Sequence, residues 1–353
     1  MSDLPKLLDA IRPPGEAAAA AAWRHLDTLT KPPGSLGRLE ELAVRLAAVT
    51  GRPPRVSAPV IFTLAADHGV VAEGVSAYPQ SVTGQMVENF LRGGAAVNVL
   101  ARQAAVRVVV ADFGIAAPLG ARDGLVVRRI GPGTANMARG PAMSRAQALA
   151  ALEAGAALAE EAIDGGADLL GTGEMGIGNT TAASAITAAI TGADADLVTG
   201  RGTGVDQEGR RRKVAVVRRA LEVNRPDPRD GLDVLSAVGG FEIGGLAGVI
   251  LAGAARRVPV AIDGFIAGAA ALIAVALAPA ARHALCASHR SAEPGHALAL
   301  AHLGLTPYLD LDMRLGEGTG AALFVHLARA AAAIYGEMAT FKSAGVDGPS
   351  GTP

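Results

Sequence analysis

Six short apolar segments punctuate the 353-residue chain: 60–67 (VIFTLAAD), 106–114 (VRVVVADFG), 167–174 (ADLLGTGE), 258–264 (VPVAIDG), 283–289 (HALCASH) and 308–314 (YLDLDMR). Each is a nearly continuous apolar run rather than an alternation, which predicts strands buried on both faces. Alanine-rich stretches of helical period lie between them. One is well delimited: Ser144 and Gln147 form a capping box, and Gly165-Gly166 stop the helix. Repeated strand–helix alternation predicts an α/β fold with a doubly wound, mostly parallel sheet. Residues 1–55 read differently, as two helices broken at Lys31-Pro32-Pro33-Gly34, because proline removes a helical hydrogen bond and clashes with the preceding turn. They are expected to form a small helical subdomain with a C-terminal helix over 319–336, within a segment 319–340. Residues 56–318 form the α/β body, and 341–353 read as a disordered tail.

Polar groups close each apolar segment: Asp67-His68, Asp112, Glu174, Asp263, His289 to Ser291, and Asp312 to Glu317. Ligands of open parallel sheets bind beyond the carboxyl ends of the strands, so these groups predict one site built from several loops. Aromatics are 3% of a chain that is 50% hydrophobic, so the core must be aliphatic. A net charge of −1 offers no basic field for nucleic acid. The lone Cys286 allows no internal disulfide and fits a reducing compartment, and residues 1–18 lack the pattern of a secretory leader, so a cytoplasmic location is expected. The apolar stretch 264–281 is rich in Ala with Gly and Pro, and reads as a buried helix rather than a membrane span.

The segment 171–182, GTGEMGIGNTTA, carries the chemistry. Its glycines match G-x-G-x-x-G, but no second strand ending in an acid follows at the distance a dinucleotide fold requires. Gly173, Met175, Gly176, Ile177 and Gly178 would offer backbone N–H groups at a helix start to an anion, with Asn179 and Thr180 adding side-chain donors or capping the helix. Gly202, Thr203 and Gly204 form a second flexible loop, and Lys213 on the helix after it could place a point charge on phosphate. In 310–323, DLDMRLGEGTGAAL, Glu317 stands between two glycines at a helix start, with Arg314 three residues earlier. An acid there can serve the helix dipole alone or face a substrate. Tyr78, Pro79, Ser81, Gln85 and Met86 mix flat, apolar and amide groups suited to a planar ring. His68 has no partner at ligand spacing, so no metal site is expected. No Ser-His-Asp arrangement is legible. The adjacent acidic pair that holds the ribose of a pyrophosphate donor is also missing.

Ten segments in order, from TKPPGSLGRLEELA through AADHGV, YPQSVTGQMV, GTGEMGIGNTTAA, GRGTGVD and SHRSAEPGH to LDMRLGEGTGAAL, resemble the nicotinate-nucleotide–dimethylbenzimidazole phosphoribosyltransferases of cobalamin lower-ligand synthesis. The resemblance runs from residue 30 to about 323. It implies a Rossmann-like sheet with a small helical domain, a homodimer with sites near its interface, and transfer of phosphoribose from nicotinate mononucleotide to dimethylbenzimidazole without a cofactor. It also implies Glu317 as general base and Glu174 as its support in the nucleotide site. The same expectation puts Asp263, Ser291 and Arg314 with the nucleotide and Leu315 with the base. The residues by themselves leave open transfer to another base, an NAD-dependent dehydrogenase and a non-catalytic nucleotide binder.

Overall fold

The structure is a computed structural model that describes residues 3–348. Six strands form the main sheet: β1 (Pro59–Ala66), β2 (Arg107–Gly114), β3 (Leu125–Val127), β4 (Leu169–Met175), β5 (Val260–Ile262) and β6 (Leu285–Ala287). Their order is β3-β2-β1-β4-β5-β6, with every neighbouring pair parallel. The chain winds outward from β1 to β3, then returns to lay β4 on the other side of β1. The carboxyl ends of β1 and β4 therefore flank the crevice where the winding reverses, the position at which open α/β sheets bind ligands.

All eight residues of β1 are buried, so both faces need cover. Alternate residues supply it. Val60, Phe62, Leu64 and Ala66 join one apolar cluster with the helices Arg145–Asp164, Asn179–Thr191, Phe241–Ala255 and Phe265–Leu277. Ile61 and Ala65 join the other, with Glu16–Asp27, Arg38–Thr50, Val82–Leu91, Ala96–Gln103 and Thr319–Glu337. The terminal helices thus share an apolar cluster with one face of the sheet. Small residues let the opposite helices pack closely: a Cβ on Gly155 would lie 1.9 Å from the carbonyl oxygen of Gly245 in the neighbouring helix.

Three expectations are corrected. The segment 308–314 does not join the main sheet; its β8 (Leu309–Asp310) pairs with β7 (His289–Arg290) in a separate two-stranded ladder. The sixth place is taken by β3, a part-exposed edge strand whose apolar run, Leu125–Val127, is only three residues long. The region expected to be a disordered tail begins with a helix, Phe341–Ala344, capped by Thr340 and tied back through a bridge between Leu29 and Thr340; residues 349–353 lie outside the described residues. The N-terminal region also holds a helix the pattern did not suggest, Leu4–Ala10, before the two expected on either side of residues 31–34. The box of Ser144 and Gln147 and the stop at Gly165 are as expected. The stretch 264–281 contains the buried helix Phe265–Leu277, and among the described residues no helix is long and apolar enough to cross a membrane.

Candidate active site

The glycines of residues 171–176 do not form the turn of a dinucleotide fingerprint. Gly171 and Gly173 lie inside β4. A Cβ on Gly173 would sit 2.3 Å from the backbone oxygen of Glu317, so the missing side chain lets the Glu317 segment cross β4 in contact with it. β4 then ends at Glu174 and Met175, and Gly178, at φ +96°, begins the helix Asn179–Thr191. Asn179 Nδ2 donates to Glu174 Oε2, holding the carboxylate at the head of that helix.

Glu317 is set by its backbone. Gly316, Glu317 and Gly318 are all left-handed, at φ +89°, +65° and +101°. That conformation costs a side-chain-bearing residue about 1–3 kcal/mol and has to be held by its surroundings. Here Thr63 Oγ1 donates to the Glu317 carbonyl at 2.8 Å. Asp263 accepts from the N–H groups of Gly318, Gly320 and Ala321 at 3.2, 2.6 and 3.2 Å. The carboxylate itself accepts the Val97 N–H at 3.1 Å, at the start of the helix Ala96–Gln103. A Cβ on Gly316 would lie 2.2 Å from Glu174 Oε1, so the loop carrying Glu317 rests against the other acid.

Both acids line one cavity of about 520 Å³. Met175, Gly176, Ile177, Asn179 and Thr180 of the cradle face it, as do Gly202 and Thr203 of the second loop and Ser291 and Arg314. Tyr78, Met86 and Leu315 of the expected base slot line it too. Other expected residues stand off the wall. Gly173 and Gly178 are structural, as above. Gly204 lines an adjoining cavity of about 590 Å³ that shares Glu293 and Arg314. Asp263, 2% exposed, holds the start of the helix Thr319–Glu337, just after Glu317. Lys213 is fully buried behind the wall, where its ammonium donates to Thr180 Oγ1 at 2.8 Å. Pro79, Ser81 and Gln85 also miss the cavity: Ser81 precedes the helix Val82–Leu91 without a side-chain capping bond, and the helix's cavity face carries Val82 and Met86 at i and i+4. His289, one of the polar strand ends expected to build the site, lines the cavity, whereas sequence reasoning missed Val82, Phe265, Ile266 and Glu293 as wall residues. The helical spacing from Met86 was a usable signal for Val82; Glu293 lies in the resembling segment SHRSAEPGH, which gives it no role by itself.

Acids outnumber bases on the cavity wall, where Glu174, Glu293 and Glu317 face Arg314. Burial, with Asp263 and Glu242 nearby, pushes the Glu174 carboxyl up to about 8. Burial also raises Glu317 above the ordinary carboxylate range, against the opposing Val97 N–H. Burial lifts Asp263 to about 6 in spite of its backbone donors. The same cause pulls Lys213 down to about 8, with Glu293 resisting. The cavity thus presents acids whose burial favours the protonated form and from which a bound cation would draw the proton, beside a helix start ready for an anion.

A model of the family described as "Phosphoribosyltransferase" matches residues 11–346. The chain belongs to this family of phosphoribosyltransferases. Among its relatives, the nicotinate-nucleotide–dimethylbenzimidazole phosphoribosyltransferase of Chloroflexus aggregans is 60% identical over 98% of both chains. The one from a Roseiflexus species is 59% identical over 99% of both. A crystal structure of the same enzyme from Thermus thermophilus superimposes with a TM-score of 0.90 at 50% identity, covering 95% of this chain and all of that one. The dehydrogenase and the non-catalytic binder are set aside by this membership. In the phosphoribosyltransferase, the glycines that mimic a dinucleotide fingerprint make room for a glutamate.

Proposed function

We propose that this phosphoribosyltransferase moves the 5-phosphoribosyl group of nicotinate mononucleotide to 5,6-dimethylbenzimidazole, giving α-ribazole 5′-phosphate and nicotinate. One observation carries the reading: two buried acids, Glu174 and Glu317, share a cavity with a helix-start cradle. The bond from the anomeric carbon to the pyridinium nitrogen breaks, and its electron pair leaves with nicotinate. A benzimidazole ring nitrogen supplies the pair for the new bond, and the proton on the other nitrogen passes to Glu317. Attack from the face opposite the leaving group turns β into α. Glu174 faces the positive charge that develops on the sugar, while the helix start at residues 176–180 holds the phosphate through those N–H groups left over once Ile177 N has donated to Thr83 Oγ1 and Asn179 N to the Gly176 carbonyl. Alignment of the two rings in one cavity supplies the entropic part of the rate.

The reading includes a cytosolic homodimer. Tyr78 and Leu315 line the cavity yet are 54% and 58% exposed, which favours a second copy covering the mouth. Sedimentation across protein concentrations tests that part. The reaction is tested by incubating the protein with nicotinate mononucleotide and dimethylbenzimidazole in the presence of chelator and following α-ribazole phosphate by chromatography. Equimolar nicotinate and α-ribazole phosphate are expected. Absence of both rejects the reading, and competition with adenine or a phenol decides the acceptor.

A further inference from the structure

His289 is 1% exposed, lines the cavity, and has no hydrogen-bond partner for either ring nitrogen among the described residues. An imidazole always carries at least one N–H, and leaving such a donor buried and unpaired is costly. Its nearest charged neighbour does not relieve it. Asp263 Oδ1 is 3.8 Å from Nε2, beyond hydrogen-bond range, and the Asp263 oxygens already accept three backbone N–H groups.

The ring is also held in place. Added Cβ atoms on Gly264 and Gly320 would meet it at 3.4 and 2.0 Å, so two glycine backbones box it in. On one side of it in the chain, Ser288 Oγ donates to the Ile262 carbonyl at 2.6 Å; on the other, Ser291 N donates to His296 Nδ1 at 2.9 Å. Burial, with His289 nearby, keeps His296 neutral, with a pKa lowered to about 3, so His296 can accept that bond. A donor fixed by its neighbours and left without an acceptor is built for a ligand.

Its surroundings say which part of the ligand. His289 stands on the segment that continues to Ser291 and Glu293. Glu293 Oε1 accepts the Gly202 N–H at 2.9 Å, and Gly202 abuts Thr180 Oγ1 and Lys213 Nζ. This wall joins the anion cradle. The apolar side chains Tyr78, Val82 and Met86 come from a different segment, 78–86.

We propose that His289 is a substrate-contacting residue that donates a hydrogen bond to an oxygen of the sugar phosphate and so positions the phosphoribosyl group. This rests on the phosphoribosyl transfer proposed above. The test uses ribose 5-phosphate, which carries no base, as a calorimetric probe of the intact protein and of the H289A and H289Q variants, together with steady-state kinetics. H289A is expected to weaken ribose 5-phosphate binding and raise KM for the mononucleotide by about tenfold or more, with KM for the acceptor unchanged. H289Q, which keeps an N–H, is expected to recover most of the loss. On unaltered protein labelled with nitrogen-15 at histidine, ribose 5-phosphate is expected to shift the ring-nitrogen signals of His289, assigned by their absence from H289Q. H289A that binds ribose 5-phosphate like the parent, or His289 signals that do not move in the saturated parent, overturns this inference while leaving the transfer standing. A parent protein that binds neither ribose 5-phosphate nor the mononucleotide overturns both.

Discussion

Glu317 and Glu174 share a charge type but differ in their partners, and their roles follow from that. Glu317 accepts from the backbone at the start of the helix Ala96–Gln103 and is raised mainly by burial, which brings a general base closer to working pH. E317A is expected to lower kcat by ~10²–10⁴ while the mononucleotide still binds; unchanged turnover would remove the role. Because the base acts only when ionised, the rate should fall as pH drops through the raised Glu317 pKa, with its midpoint above the ordinary glutamate value. The pH–rate profile of kcat reads this directly, and the acid limb should be absent from the residual activity of E317Q. Glu174, at about 8 in the ligand-free cavity, is largely protonated at neutral pH. A pyridinium cation favours its ionised form, so binding of the mononucleotide at pH 7 should release a proton. Calorimetry in buffers of different ionisation enthalpy measures that release, and E174Q should abolish it.

At the scale of elements, the site depends on one crossing, where the loop 316–318 passes over β4 and starts the helix Thr319–Glu337. G173A would drive a methyl into the Glu317 carbonyl, and overpacking of this kind costs about 1–3 kcal/mol. It should lower the melting temperature and also kcat, because the displaced atom belongs to the base. D263N weakens the hold on the same helix start and should lower kcat more than it changes the affinity for mononucleotide. The sequence made much of this scale legible. Continuous apolar runs gave five of the six strands of the main sheet, and their polar ends gave Glu174 and the region of Glu317. It hid what depends on partners far along the chain. The 308–314 segment has a strand-like pattern, yet the ladder it joins is two residues long, outside the main sheet. Lys213 and Asp263 have the chemistry of ligand-binding residues, but each is occupied by the protein itself. His289 and Glu293 fall within SHRSAEPGH, a segment of the family resemblance, but the segment by itself assigns them no role; their place on the wall comes from the folding of β6, β7 and the helix Pro294–Leu303 around the cavity.

For the whole molecule, the buried acids tie stability to pH. Glu174 is raised from 4.5 to about 8 on folding, so between those values the folded state holds a proton that the unfolded chain has released. Its contribution to stability must therefore fall as pH rises across that window. Asp263 has the same sign up to about 6, whereas Lys213, lowered from 10.5 to about 8, acts in the opposite sense only above that value. From pH 6 to 8 the melting temperature of the ligand-free protein should decline, and E174Q should flatten the decline; an equal slope in the variant would show that Glu174 does not set it. The most direct test of the paired acids is a crystal structure with α-ribazole 5′-phosphate and nicotinate bound. Expected are the Glu317 carboxylate within hydrogen-bond distance of a benzimidazole nitrogen and the Glu174 carboxylate against the same ribose, whose phosphate lies at residues 176–180. A ribose out of reach of either acid, or a phosphate bound elsewhere, would contradict the shared site.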